Sequence, residues 1–262
     1  MKETKKEIFA RYGIELIDNN HVNSPLGPIT KLLIDGNGKI GKGVYHFSTV
    51  PGTYDYSVSV NGTEYTAKGT CPCNCKGCYA MSGNYTRYGY DAPAMRTVIA
   101  RNYSEFMVKA IIAQIKADNI KFVRIHASGD FFSSEYVNAW TEIIKACPEC
   151  TFWTYTKNGD AVDAFDGLEN ANIVKSVIPH IGFNFGHIDY IIAVYNELKR
   201  QGKSVYICRC GIDKNQHCNN CKACSKHEFV LFIEHSTEYK AEKDPRYEEI
   251  KALIESQESM EF

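Results

Sequence analysis

The sequence predicts one α/β domain, arranged as a partial (β/α)6 barrel of the TIM type with an N-terminal β-hairpin extension. Runs with strand character alternate with runs of helical character from residue 92 to residue 256. With the strand at 44–50 counted first, this alternation gives about six strands joined by right-handed crossovers, and therefore a parallel sheet. The chain has 262 residues, 44% of them hydrophobic, which is enough for one sizeable core. An open, doubly wound sheet is the alternative arrangement of the same units.

The N-terminal extension is predicted to end in a hairpin. Two alternating runs flank Asn61-Gly62, and Asn-Gly favours a tight turn because both residues tolerate positive φ. The hairpin leads directly into a cysteine-rich loop, which we expect it to hold. The predicted elements of this part are a surface helix at 3–12, a loop at 19–43, a strand at 44–50 and hairpin strands at 54–60 and 63–67.

The barrel elements follow from the hydrophobic periodicity of the remaining chain. The predicted helices are 92–118 with a break near Asn102, 135–147, 160–177 with a break at Gly167, 188–201 and 245–256. The predicted strands are 121–126, 151–156, 180–185, 204–208 and 229–234. The single domain, residues 1–262, divides into an extension with hairpin (1–70), a barrel core with a first cysteine loop (71–207), a second cysteine-rich loop (208–228) and a last strand and helix (229–262).

The charge balance and the apolar runs exclude several functional classes. The formal net charge is −1, with 30 basic and 31 acidic residues, so the chain has no overall electrostatic footprint for nucleic acid. No apolar run reaches the length of a membrane span, and no signal-peptide stretch follows the first residues. We therefore expect a cytoplasmic protein with no membrane partner.

The chain has 11 cysteines, and four of them fall between residues 71 and 78. Clustered cysteines in a reducing compartment indicate metal or redox chemistry rather than disulfides. Cys71, Cys75 and Cys78 have the spacing C-x3-C-x2-C, which can aim three thiolates at one iron–sulfur cluster, zinc ion or copper ion. Three ligands on a [4Fe–4S] cluster would leave one iron open. Cys73 is either a fourth ligand, which would close the cluster, or a spare thiol.

A second cysteine group comprises Cys208, Cys210, Cys218, Cys221 and Cys224. The last three have the spacing C-x2-C-x2-C, which is typical of ferredoxin-like iron–sulfur sites. Either Cys210 or Cys208 can supply a fourth thiolate, giving a closed cluster suited to electron transfer or to structure. A zinc site of four thiolates, with His217 as a substitute ligand, is the alternative. The pair Cys147 and Cys150 has no further ligand nearby, and we interpret it as structural.

Five motifs together carry a family resemblance: Phe47-Ser48 with Pro51-Gly52, the Cys71–Tyr79 loop, the segment 124–132, the segment Tyr155–Lys157 and the late cysteine group. The chain resembles the radical S-adenosylmethionine (radical SAM) superfamily and, more narrowly, the phage-encoded gene product eighty-eight family, from about Gly41 to Cys224. The broader resemblance implies a partial barrel and a [4Fe–4S] cluster on the first cysteine loop, whose open iron binds S-adenosylmethionine. The narrower one favours Cys210 over Cys208. Gly77 departs from the superfamily pattern, in which an aromatic residue usually precedes the last cysteine.

Polar residues collect at the predicted C-terminal ends of the strands, where βα folds carry their functional sites. Ser128-Gly129-Asp130 stands where radical SAM enzymes have a Gly-Gly-Glu-Pro-like segment that holds the cofactor's amine; Asp130 as an N-cap of the helix beginning near Ser133 is the alternative. Tyr155 and Lys157 are candidates to contact a substrate carboxylate or phosphate. The alternative is that Tyr155 is a tyrosine at the edge of the core and that Lys157 is a solvated lysine. The candidate catalytic residues are thus Asp130, Tyr155 and Lys157. The candidate cofactor-binding residues are Ser128, Gly129, Asp130 and Asn184.

Three functions are compatible with these patterns. The first is a radical SAM-type enzyme that acts on an unknown small-molecule or macromolecular substrate, has a second, auxiliary [4Fe–4S] cluster, and receives electrons from a donor such as flavodoxin or ferredoxin. The second is a non-catalytic or electron-transfer iron–sulfur protein on the same scaffold, which Cys73 as a fourth ligand favours. The third is a zinc-braced binding module, against which the neutral net charge counts.

Overall fold

The structure is a computed structural model that describes residues 3–38, 40–72, 78–81, 89–178, 180–213, 215–234 and 239–258. Its helices are α1 (Lys5–Arg11), α2 (Asp91–Asn102), α3 (Ser104–Asp118), α4 (Ser134–Ala146), α5 (Gly159–Phe165), α6 (Ile188–Arg200), α7 (Cys218–Cys221) and α8 (Tyr247–Glu258). Its strands are β1 (His21–Ser24), β2 (Gly27–Thr30), β3 (Ile34–Asp35), β4 (Tyr45–Phe47), β5 (Tyr56–Val60), β6 (Thr63–Ala67), β7 (Phe122–Ile125), β8 (Thr151–Thr156), β9 (Ala171–Lys175), β10 (Val177–Ile178), β11 (Gly182–Phe183), β12 (Phe185–Gly186), β13 (Val205–Ile207) and β14 (Phe229–Ile233).

The largest sheet has five strands in the order β3-β4-β7-β8-β9. Strands β4, β7, β8 and β9 run parallel, and β3 is antiparallel at one edge. Alternate side chains of these strands, such as Val123 and Phe152, join the main core with residues from the covering helices, such as Ile111 and Ile143. The apolar stripes of α3 and α4 therefore bury one face of the sheet, as the periodicity predicts.

A smaller sheet has the order β12-β14-β13, with all neighbours parallel. Leu231 of this sheet packs in a separate core with Ile191 and Leu198 of α6 and Ile250 of α8. A third core contains Trp153 of β8 and Val230 of β14 and also the cysteine Cys224. The face of β8 opposite the main core thus packs against β14, across a core that contains a cysteine.

Asn184 joins the two sheets. Its backbone N–H donates to Ser176 beyond β9 at 3.2 Å, and its carbonyl accepts from Phe232 of β14 at 2.8 Å. Its side-chain amide donates to the Val230 carbonyl at 2.9 Å, and the residue is buried. Strand pairing does not close these sheets into a barrel over the described residues, so the partial (β/α)6 barrel stays a prediction.

Most predicted elements of the sequence are present, with three differences. The strand expected at 180–185 is divided into β11, which pairs antiparallel with β10, and β12, which pairs parallel with β14. Residues 171–175, which we expected to end a helical segment, form β9, because the chain turns at Gly167 with φ +76° and then pairs with β8. The expected loop at 19–43 contains the hairpin β1–β2 and the short β3. The Asn-Gly turn is confirmed: Asn61 and Gly62 have φ of 50° and 80° between β5 and β6.

No helix among the described residues is long and apolar enough to span a membrane.

His126 directly follows β7 and lies in an aromatic cluster. Its Nε2 lies 2.8 Å from the Tyr136 hydroxyl, and its ring packs edge-on against Phe131 at 4.6 Å. Burial, with a smaller effect of the nearby Arg124 charge, lowers the pKa of His126 to about 3. The imidazole is therefore neutral in the folded protein and serves as a packing group of the core.

This depressed pKa predicts a loss of stability in acid. The unfolded chain protonates His126 near pH 6.5, whereas the folded protein resists protonation until about pH 3. The unfolded state therefore binds more protons between these values. For each unit by which the pH is lowered in this range, this one group reduces the free energy of unfolding by about 1.4 kcal/mol. Urea unfolding midpoints measured from pH 7 to pH 4 should fall less steeply for His126→Asn than for the wild type.

Asn suits this position because it tolerates the positive φ of 64° found at His126. His180→Asn is the matched control, since His180 also has a positive φ, of 62°, but is exposed. Equal pH slopes for the wild type and His126→Asn would contradict the assignment of a buried neutral imidazole.

Candidate metal centres

All five thiols of the second cysteine group line one pocket. Cys208 follows β13, Cys218 and Cys221 lie at the two ends of α7, and Cys224 lies in a short 3-10 turn. The pocket is narrow, with a cavity volume of about 20 Å³. The other lining residues include Trp153, Tyr206, Arg209, Lys222 and Val230.

The segment that carries these cysteines is fixed onto the large sheet. Asn172 of β9 donates its side-chain amide to the carbonyls of Cys224 at 2.8 Å and His227 at 2.9 Å. The Asn219 N–H donates to the Ile40 carbonyl at 3.0 Å, and the Lys222 ammonium lies 4.0 Å from the centre of the Phe122 ring. The thiols are therefore held by contacts that the sequence spacing alone does not specify.

The environment of Cys224 bears on its ionisation. Burial raises the pKa of the Cys224 thiol to about 12, while the Tyr155 hydroxyl and the Arg124 charge act in the opposite direction. Two main causes raise the pKa of Cys208 well above its usual value: the larger is a hydrogen bond with Cys210, and the smaller is burial. Thiols in such a setting ionise when a metal binds them, because the metal replaces the proton.

No disulfide joins any two of the described cysteines. Among the described residues, no three Cys, His, Asp or Glu side chains are already grouped as a metal-ion site. The donor set of the pocket nevertheless fits a thiophilic group: it offers five sulfur ligands, and two cationic side chains, Arg209 and Lys222, line the same space. Both Cys208 and Cys210 line the pocket, so either can complete a four-thiolate set.

The first cysteine loop is described only at its two ends, Cys71 and Cys78; Cys73 and Cys75 lie outside the described residues. The Gly52 N–H donates to the Cys71 sulfur at 3.2 Å, and the Cys71 N–H donates to the Gly52 carbonyl at 3.0 Å. Hydrogen bonds from backbone N–H groups to cysteine sulfur stabilise thiolates and are a means of tuning iron–sulfur centres.

The far end of this loop rests on the hairpin and on α2. The Met81 N–H donates to the Cys78 carbonyl at 2.9 Å, and the Tyr56 hydroxyl of β5 contacts the Met81 sulfur at 3.6 Å. Tyr90, directly before α2, donates to the Ala80 carbonyl at 2.8 Å. Burial raises the pKa of Tyr56, and the charges of Tyr90, Cys71 and Cys78 add to that effect.

Ser128 and Gly129 lie beside the start of the first cysteine loop. The Ser128 hydroxyl donates to the Thr49 carbonyl at 2.9 Å, and the Thr49 and Thr70 hydroxyls are 2.9 Å apart. Gly129 has φ +84°, and a Cβ there would collide with the Thr49 hydroxyl and meet the Thr70 hydroxyl at 2.6 Å. The glycine thus permits the backbone after β7 to approach the residue that precedes Cys71.

The Asp130 carboxylate connects the ends of β7 and β8. It accepts hydrogen bonds from the Thr156 hydroxyl at 2.6 Å, the Lys157 N–H at 3.0 Å and the Phe131 N–H at 2.8 Å. Burial raises the pKa of Asp130, and these three hydrogen bonds oppose that effect. The N-cap alternative is wrong, because Ser133 caps α4. A carboxylate has about four acceptor positions, and three donors of the protein already occupy this one.

The other candidate residues lie apart from this network or use only their backbone in it. Lys157 contributes its N–H to Asp130, and its own side chain is partly buried. Asn184 lies between the two sheets, with its side chain bonded to Val230. The Tyr155 hydroxyl contacts the Cys224 sulfur at 2.5 Å, so this residue lies beside the second cysteine group. Sequence reasoning missed the roles of Thr49, Thr70 and Thr156, because a threonine at a strand end carries no distinctive signal.

The close approach at Gly129 predicts a large effect of Gly129→Ala on stability. The positive φ alone should cost about 1–2 kcal/mol in the free energy of unfolding, and displacing the Thr49 and Thr70 hydroxyls should add a further ~1–3 kcal/mol. Gly167→Ala is the matched control: Gly167 has φ +76°, but a Cβ there would meet nothing within 4 Å. If both variants lose the same free energy of unfolding in urea, Gly129 does not approach Thr70 closely.

Comparison with known proteins identifies the family. The family model of Gene product 88 matches residues 31–242, well over half of the chain. Similar proteins include the Gene 88 protein of Mycobacterium phage L5, 51% identical over 37 residues, and the Gene 88 protein of Mycobacterium phage D29, 41% identical over 54 residues. These segments cover 14% and 21% of this chain, and only 16% and 22% of those two proteins. No solved structure matches. The chain belongs to the Gene product 88 family.

Proposed function

We propose that this protein binds [4Fe–4S] clusters at two cysteine sites and acts as a radical SAM-type enzyme on a partial (β/α)6 barrel. The observation that carries the proposal is the convergence of five thiols on one pocket, with two cationic side chains beside them. Soft thiolates in this number select iron–sulfur clusters or zinc, and the C-x2-C-x2-C spacing favours the cluster. A cytoplasmic location, where thiols stay reduced, is part of the proposal.

In the second site, Cys218, Cys221 and Cys224 would provide three thiolates, and Cys210 would provide the fourth, with Cys208 as the alternative. Four protein ligands leave no open coordination position, so this site would carry electrons or brace the fold. The protein's own contribution is to exclude water and to hold the thiolates. The Asn172 amide supports this by anchoring the Cys224 carbonyl to β9.

In the first site, Cys71, Cys75 and Cys78 would hold a cluster with one open iron. Bound beside this cluster, S-adenosylmethionine would supply one-electron radical chemistry, and the protein's part would be to hold and orient it. The Asp130 carboxylate would hold the cofactor's amine. The close approach of Gly129 to Thr70 would fix the position of the backbone that carries Asp130. Ser128 and Lys157 would orient the cofactor or substrate, whereas Asn184 is bonded between the two sheets.

The reduced cluster requires an electron donor, for which flavodoxin or ferredoxin is the natural class of partner. The substrate is a molecule with a hydrogen that the radical can abstract. Two other functions remain as outcomes of the tests: a non-catalytic iron–sulfur protein in which Cys73 closes the first cluster, and a zinc-braced binding module.

The cluster proposal predicts the metal content of anaerobically reconstituted protein. The wild type should retain about eight iron and eight sulfide per chain and absorb as a brown iron–sulfur protein, because two cubanes are bound. The double variant Cys218→Ala with Cys221→Ala should retain about half of each. Cys147→Ala, which removes a buried thiol outside both sites, should retain the wild-type amount. Colourless protein with bound zinc would support the zinc module, and protein that retains no metal would contradict both readings.

The catalytic proposal predicts cleavage of S-adenosylmethionine. Reduced wild-type protein should release 5′-deoxyadenosine, which chromatography detects, and Cys75→Ala should release none because it lacks a ligand of the first cluster. Cys73→Ala should keep both its iron and its activity if Cys73 is a spare thiol. Loss of the first cluster in Cys73→Ala would favour the non-catalytic function. Fully loaded wild type that neither binds nor cleaves S-adenosylmethionine would rule out the enzyme.

A further inference from the structure

Tyr155 lies on β8 with its hydroxyl 2.5 Å from the Cys224 sulfur. In this contact the Tyr155 hydroxyl is the donor and the Cys224 sulfur is the acceptor. This short contact joins a side chain of the large sheet directly to a thiol of the second cysteine group.

Two neighbours fix the Tyr155 ring in this position. Phe232 of β14 packs against it edge-on, with ring centres 5.5 Å apart and an interplanar angle of 68°. The Arg124 guanidinium lies over its face at 4.8 Å, which is within the range of a cation–π interaction. The hydroxyl therefore has little freedom to leave the sulfur, and a positive charge stands behind the ring.

We propose that Tyr155 is a positioning residue that sets the reduction potential of the second site by donating a hydrogen bond to Cys224. This inference rests on the proposed cluster in the second cysteine group. Reduction adds one electron, supplied by the reductant, to a cluster that already carries the negative charge of its thiolates. A hydrogen bond to a ligand sulfur stabilises that added charge, so it favours the reduced state and raises the potential. Arg124 acts in the same sense through its charge.

This assignment differs from the contact with substrate that the sequence suggests for Tyr155. The hydroxyl is engaged with Cys224, and Phe232 and Arg124 occupy an edge and a face of the ring. Substitution of the hydroxyl should accordingly change a property of the second site and leave the iron content of both sites unchanged.

The test is a reductive titration of the reconstituted wild type and Tyr155→Phe, with the reduced cluster of each site followed by electron paramagnetic resonance. The potential of the second site should shift to a more negative value in Tyr155→Phe, because phenylalanine keeps the ring contacts and removes only the donor. Tyr195→Phe is the matched control: it removes a buried tyrosine hydroxyl on α6, in the core that contains Leu231, and should leave both potentials unchanged.

The outcomes separate this inference from the proposed function. An unchanged potential in fully loaded Tyr155→Phe would overturn the inference while leaving the clusters in place. A wild type that takes up no cluster in the second cysteine group would overturn both. If Tyr155→Phe loses the second cluster, 3-fluorotyrosine in place of Tyr155 provides the decisive measurement. Its more acidic hydroxyl donates more strongly, so the potential should shift to a more positive value, and the absence of a shift would overturn the inference.

Discussion

The buried carboxylate of Asp130 is the interaction on which the arrangement of the strand ends depends. It draws the Thr156 hydroxyl and the Lys157 N–H toward the end of β7, while the Asp130 N–H donates to the Thr70 hydroxyl at 3.1 Å. A buried carboxylate is unfavourable unless donors surround it, so the position of each partner is strongly constrained. Because Thr70 precedes Cys71, the same network sets where the first cysteine loop leaves the sheet.

The two cysteine sites meet this network through adjacent residues of one strand. Thr156 bonds to Asp130, and its neighbour Tyr155 bonds to Cys224, so the end of β8 contacts the surroundings of both sites. Successive residues of a strand point to opposite sides, which explains how one strand contacts both Cys224 and Asp130. A connected path of peptide and hydrogen bonds therefore runs from Cys224 through Tyr155, Thr156 and Asp130 to Cys71.

Sequence patterns predicted correctly those elements whose conformation depends on neighbouring residues in the chain. The run at 151–156 has the bounds of β8, and the Asn61-Gly62 turn has the positive φ values that its residue types suggest. Prediction failed at β9, whose five residues follow a turn and gain their strand conformation from pairing with β8. It also could not foresee that Asn184 would bridge the two sheets, since an asparagine at the end of a short strand is also typical of a binding site or a turn.

The sequence by itself determined the grouping of the thiols, because cysteines two or three residues apart must lie close together in any fold. It also determined the alternation of strands and helices, which is written in the spacing of apolar residues. Only the tertiary structure decided which side chains surround those thiols. Tyr155 and Cys224 are 69 residues apart, and Asp130 and Thr70 are 60 apart. Contacts of this kind depend on how the sheet and its connecting segments pack in space, which no local spacing encodes.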